Sequence, residues 1–214
     1  MSAGIVSTYD VKAGRTAEAV TFLLEAADYM SGLADGTAQV RNSWLAGEAA
    51  GLLQLITQYP TVAAQMAGFD AIMADIANNP LGRLGAEKGM PLRVRSRYTF
   101  STLDAAAEVA PPFPVMTTLN YQIAAGKRAA GLDAFTAAEA LHGGMGVTAR
   151  ALQIGNAGPL SGSIVYAVGA NNYTTLGTFG ANLAQQPTHP LADATAAGTL
   201  LAAGGQSSAH VSGG

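Results

Sequence analysis

The sequence predicts an α+β fold made of two tandem βαββαβ units, roughly residues 4–103 and 114–212, with antiparallel sheets and the helices outside. Three observations lead to it. The spacing of apolar residues switches repeatedly between the period of a strand and that of a helix. The order of those segments in the first half recurs in the second, down to individual residues, as expected of an internal repeat. In a chain of 214 residues, 49% hydrophobic against 12% charged supplies core material for two units and excludes extensive disorder.

Residues 5–12 (IVSTYDVK) are rich in β-branched and aromatic types and stop at Ala13-Gly14, a strand followed by its turn. From Thr16 to Leu33 the apolar positions Ala19, Val20, Leu23, Leu24, Ala27 and Met30 recur at three- and four-residue spacing, one face of a helix that Asp35-Gly36 ends. Residues 38–46 and 51–59 read as strands joined by a hairpin at Gly47-Glu48-Ala49-Ala50. Thr61 is placed to cap a second helix with the stripe Met66, Phe69, Ile72, Met73 and Ile76, which Asn78-Asn79-Pro80 stops. Residues 91–101 alternate as a closing strand, with Arg93, Arg95 and Arg97 on one face.

The second half repeats this order. Residues 9–15 (YDVKAGR) align with 121–127 (YQIAAGK), and Val20 and Leu23 with Leu132 and Phe135. In the second helix Met66, Phe69, Ile72 and Ile76 fall on Tyr173, Leu176, Phe179 and Leu183, while Met30 falls on His142. The chain therefore divides into a first unit at 1–103, a Pro-rich linker at 104–113 that cannot continue a sheet, and a second unit at 114–214. Thr188-His189-Pro190 reads as a loop, and in the tail only residues 207–211 have strand character.

A net charge of −3 gives no electrostatic ground for nucleic acid. Eight of eleven Lys and Arg lie in residues 1–103, so the first unit is the more polar. The absence of cysteine excludes disulfides, a thiolate nucleophile and Cys-ligated metal, which with an N-terminus lacking a signal-peptide pattern leads to the expectation of a cytoplasmic protein. No apolar run reaches the length of a membrane span.

Two βαββαβ units in tandem resemble the dimeric α/β-barrel superfamily of ferredoxin-like folds, which includes antibiotic-biosynthesis-type monooxygenases and NIPSNAP-like proteins. The resemblance covers nearly the whole chain and is architectural. It implies two four-stranded sheets facing each other as a pseudo-dimeric barrel, with an inter-sheet cavity able to hold a small ligand. The activity it implies is that of a cofactor-independent monooxygenase acting on an apolar or aromatic substrate. The alternative is a non-catalytic binding or stress-associated protein, and haem binding, as in some members, is a third reading. Otherwise no cofactor and no metal is expected. The expected partner is a small apolar molecule, and the low charge is compatible with a homo-oligomer.

In such a fold polar and aromatic strand residues are the candidates for ligand binding, because a doubly covered sheet is otherwise apolar. Tyr9 and Tyr121 occupy equivalent first-strand positions, where a buried hydroxyl could orient a carbonyl or an ordinary tyrosine could pack with its tip wet. Arg41, Asn42 and Trp44 share the second strand, with Arg150 nearby in its counterpart; they offer a flat wall, an amide and a cation, although alternation sends Arg41 and Asn42 to opposite faces. The arginine row of residues 93–97 could bind an anion or simply be a solvated face. His142, at a helix end before Gly143-Gly144-Met145-Gly146, could serve as base, haem ligand or helix cap. His189 and His210 have no metal-binding partner at useful spacing.

Overall fold

The computed structural model describes residues 1–45, 51–80, 82, 89–103, 113–156 and 161–211. The hairpin expected at 47–50 and most of the linker lie outside the described residues, as do the side chains of Trp44 and His210. Strand β1 (Ala3–Val11) leads into helix α1 (Thr16–Ser31), then β2 (Thr37–Leu45), β3 (Leu52–Tyr59), α2 (Val62–Ala74) and β4 (Leu92–Thr102). The second half runs β5 (Val115–Ile123), α3 (Arg128–Gly143), β6 (Thr148–Ile154), β7 (Ile164–Ala170), α4 (Tyr173–Ala184), α5 (Pro190–Ala196) and β8 (Leu200–His210).

All eight strands are antiparallel and pair in the closed order β1-β3-β2-β8-β5-β7-β6-β4, with β4 returning to β1. Each half contributes the same run, β4-β1-β3-β2 and β8-β5-β7-β6, so the two four-stranded parts are hydrogen-bonded into one sheet. The seams are β2 against β8, where Asn42 faces Ala209, and β4 against β6, where Phe100 faces Ile154. Alternation sends one side chain in two to the inside, where Val6, Ile56, Phe100 and Ile154 cluster with Tyr98, Met116, Leu152 and Val165. The other side chains meet the helices in an outer layer: Tyr9, Val40, Leu53 and Leu55 beneath α1, and Tyr121, Ile164, Tyr166 and Val168 beneath α3 and α4.

The halves use the same devices at matched positions. Gly14 and Gly126 take left-handed φ of 76° and 75° in the turn after the first strand, a conformation that favours glycine. Thr61 Oγ1 accepts the Ala64 N–H and Asn172 Oδ1 accepts the Thr175 N–H, capping α2 and α4. Register shifts interrupt β1 against β4 at Thr8/Tyr9 and β5 against β8 between Leu119 and Tyr121.

Four expectations change. The first shift is a bulge that splits the arginine row: Arg97 pairs with Ser7 and Val94 with Tyr9, while Arg93 and Arg95 both reach Asp10, because one extra residue reverses the alternation. Helix α2 buries Gln65, Gly68 and Ile72, leaving Met66, Met73 and Ile76 about half exposed. It lies so close to the sheet that a Cβ on Gly68 would sit 2.8 Å from the Tyr59 ring. Residues 188–190 are not a simple loop: His189 caps α5 with Pro190 in its first turn, a position that proline suits because its missing N–H is not needed there. Finally, β8 spans eleven residues, its Gly-Gln-Ser sequence held by pairing with β5 and β2 where its own side-chain pattern gives little signal.

Candidate functional site

The outer layers of the two halves differ. Strand registers make Ser7, Leu55 and Thr57 the counterparts of Leu119, Tyr166 and Val168. In the second half this space is filled. His142 is 2% exposed, with Phe179 edge-on at 4.8 Å and Tyr166 at 5.5 Å between ring centroids. Its Nδ1 lies 2.9 Å from the Tyr166 hydroxyl and its Nε2 lies 2.9 Å from Nε2 of His189.

The partners fix the protons along this chain. The Ala192 N–H donates to His189 Nδ1 at 3.3 Å, so that nitrogen carries no hydrogen and the neutral ring has its N–H at Nε2. That N–H donates to His142 Nε2, which leaves the His142 proton on Nδ1, where it donates to the Tyr166 oxygen. A further proton has no place in this chain. Burial, and then the neighbouring His189, lowers the His142 pKa to about 4; burial also lowers His189, against the opposing pull of Asp193. The Tyr166 hydroxyl is pushed up, first by burial and then by Glu139.

In the first half the corresponding layer holds a cavity of about 320 Å³ between α2 and the sheet. Its apolar lining includes Met30, Leu55, Phe69 and Ile72, with Met73 and Ile76 toward solvent. Its polar lining is Ser7, Tyr9, Thr57 and Arg97. Arg97 Nε donates to Ser7 Oγ at 2.9 Å. Tyr9 and Thr57 are 0% and 3% exposed, and neither hydroxyl has a hydrogen-bond partner. The Tyr9 hydroxyl can donate to an occupant, and the Thr57 hydroxyl can donate or accept.

A second cavity, of about 70 Å³, lies inside the closed sheet. Both halves line it: Val6, Ile56 and Phe100 with Met116, Leu152 and Val165 form apolar walls, and Gln54, Gln58, Thr118 and Arg150 are among its polar groups. Burial pushes the Tyr98 hydroxyl, at its wall, up to about 12. Arg41 is fully buried on the inward face of β2, donating to Gln39 Oε1 at 3.0 Å and to the Phe113 carbonyl at 2.6 Å, and burial lowers its pKa to about 10.

These positions separate the candidate residues. Tyr9 lines the larger cavity. Its counterpart Tyr121 packs edge-on against Phe135 at 5.6 Å and lines neither cavity. Asn42 is exposed on the outer face of β2, away from both cavities. Trp44 lies in β2, its side chain outside the described residues. His142 does not fit a haem: iron bonds through an imidazole nitrogen, both of its nitrogens are engaged by protein groups, and the space around the ring is filled. Among the described residues no three of His, Cys, Asp and Glu come together as a metal site, and no helix is long and apolar enough to cross a membrane.

Sequence reasoning missed Thr57, Gln58 and Tyr166. Strand β3 carries Gln54, Thr57 and Gln58 among apolar neighbours, with nothing in its own pattern to single out Thr57 or Gln58, and the partner of His142 depends on a pairing 24 residues away. Comparison of the two halves held the available signal: aligning β3 with β7 sets Thr57 against Val168 and so marks a hydroxyl where the other half has none.

No protein-family model and no curated protein matches the chain. Solved structures do. A haem-binding protein from Thermus thermophilus is similar at 10% identity with a TM-score of 0.60, over 99% of this chain and 91% of that one. A protein from Lactobacillus acidophilus NCFM that carries a monooxygenase name is similar at 8% identity and a TM-score of 0.57, over 98% and 93%. A mutant chlorite dismutase from Candidatus Nitrospira defluvii is similar at 10% identity and 0.55, over 99% and 92%. At these identities the likeness is one of fold alone.

Proposed function

We propose that the chain is a small-molecule-binding protein whose site is the cavity between α2 and the sheet of the first half. Its ligand is compact, largely apolar and carries an oxygen that accepts hydrogen bonds. The observation that carries this reading is the pair of buried, partnerless hydroxyls, Tyr9 and Thr57, facing one cavity of about 320 Å³. A buried polar group without a partner costs roughly 1–3 kcal/mol, which an occupant accepting from Tyr9 would relieve. The volume lies at the lower end of the range typical of small-molecule sites.

The catalytic form of this reading is a cofactor-independent, monooxygenase-like reaction on an aromatic substrate. The Lactobacillus acidophilus neighbour that carries a monooxygenase name supports it, and Tyr9 would then donate to the oxyanion that develops on the substrate. We read the two halves as an internal duplication, one chain forming within itself what relatives form by dimerising; the matched turns, caps and register shifts support this. Titration with 1-naphthol and 1,4-naphthoquinone tests the site. Saturable binding should weaken about 10-fold in Tyr9→Phe, the worth of about one hydrogen bond. Binding of neither probe, or affinity unchanged by Tyr9→Phe, would contradict it.

A further inference from the structure

We infer that the interior of the closed sheet is a second, separate binding site, for a small hydroxycarboxylate of about lactate size. It rests on the chamber's own chemistry. The planar guanidinium of Arg150 enters from β6, where one terminal nitrogen donates to the Ala149 carbonyl at 2.8 Å while the buried Nε has no partner. Gln58, which lines the same chamber, presents a buried Oε1 that also has no partner. The chamber therefore holds one unanswered donor on a cation and one unanswered acceptor.

Among the described residues, no Asp or Glu lines the chamber. Glu139 of α3 accepts the Ala151 N–H from the helix side, and Ala151 belongs to the outer core. A cation with a buried, unpartnered Nε in a largely apolar chamber favours an anionic occupant, since charge in such surroundings is stabilised by a paired opposite charge. Gln58 Oε1 adds a second requirement, because a carboxylate alone cannot donate to it. A hydroxyl on the same molecule can. The remaining wall of Val6, Ile56, Met116 and Val165 suits a short hydrocarbon body. The cavity of about 70 Å³, where about 10–15 Å³ on the same measure admits one water, accommodates a molecule of a few non-hydrogen atoms.

The test uses the whole chain labelled at its methionine methyl groups and at arginine Nε. Met116 lines the chamber, whereas Met30 and Met73 line the other cavity, so failure here is distinguishable from failure of the site proposed above. Lactate should shift Met116 and Arg150 Nε saturably and leave Met30 and Met73 in place, with acetate binding about 10-fold more weakly for want of the hydroxyl. Gln58→Leu should bring lactate down to the acetate level. Arg150→Gln should abolish both, and Arg150→Lys, which keeps the charge, should retain weakened binding. A chamber holding water only would leave Met116 unmoved by lactate while the spectrum remains that of the folded protein. That result, or lactate binding unchanged in Arg150→Gln, would overturn the inference.

Discussion

At matched positions the first half carries Met30, Leu55, Thr57 and Ile72 where the second carries His142, Tyr166, Val168 and Phe179. The strands, turns and caps around them are alike, yet the outer layer is hollow in one half and filled in the other. The difference is not one of hydrophobicity, since both sets are mostly apolar. In the second half two rings large enough to span from sheet to helix are tied by hydrogen bonds, and α5 brings His189 and Leu191 over them. In the first half a flexible methionine and a leucine leave a gap, with hydroxyls from β1 and β3 facing it. One half therefore fills this layer with rings and the other leaves a cavity in it.

The largest expected effect is on the filled side. His142→Ala should cost about 4 kcal/mol, combining a cavity with the stranded Tyr166 hydroxyl and His189 nitrogen, whereas Met30→Ala should cost about 2 kcal/mol because its surroundings are already open. Urea unfolding measures both, and equal costs would break the contrast.

Acid should expose the same asymmetry. The folded-state pKa of His142 is about 4, below the value near 6.5 of an unfolded histidine. Between those values the unfolded chain binds a proton that the folded chain does not. The contribution of His142 to stability is thus fully present above about pH 6.5 and is lost as pH falls toward 4, by about 3 kcal/mol. The groups that face it are Tyr166 from β7 and His189 from the start of α5, with Asp193 beyond and Glu139 on α3. His142→Leu should flatten the unfolding free energy between pH 6.5 and 4 relative to the native chain; an unchanged slope would show that the proton is taken up elsewhere.

A smaller effect is expected on the hollow side. Thr57→Val copies Val168 of the second half, removing a partnerless hydroxyl at constant shape. It should stabilise the empty protein by up to about 1 kcal/mol. Thermal unfolding without ligand checks this, and a clear destabilisation would mean that the hydroxyl is already satisfied.

Much of the fold was legible in the sequence because period and repetition reinforce each other. The switch from YDVK to the stripe of Ala19, Leu23 and Met30 located β1 and α1, and Tyr121 through Lys127 located their counterparts. What escaped depends on partners distant in the chain. The bulge beside Tyr9, which separates Arg97 from Arg93 and Arg95, arises from pairing with β1 and leaves no mark in the alternation of β4 itself. The roll of α2 onto Tyr59 through Gly68 hid in a pattern where Met66 and Met73 looked like core. The site was half legible: Tyr9 stood out as an aromatic in a strand, but Tyr121 stood out equally, and only the surrounding layer separates a hydroxyl facing a cavity from a ring packed on Phe135.

The most direct measurement of that separation is a methionine-methyl spectrum during titration with 1-naphthol. Met30 and Met73 line the hollow layer, and Met145 packs against the filled one. Saturable shifts at Met30 and Met73 with Met145 unmoved are the predicted result. Movement of Met145 alone, or no movement of Met30 and Met73 at saturating probe, would contradict it.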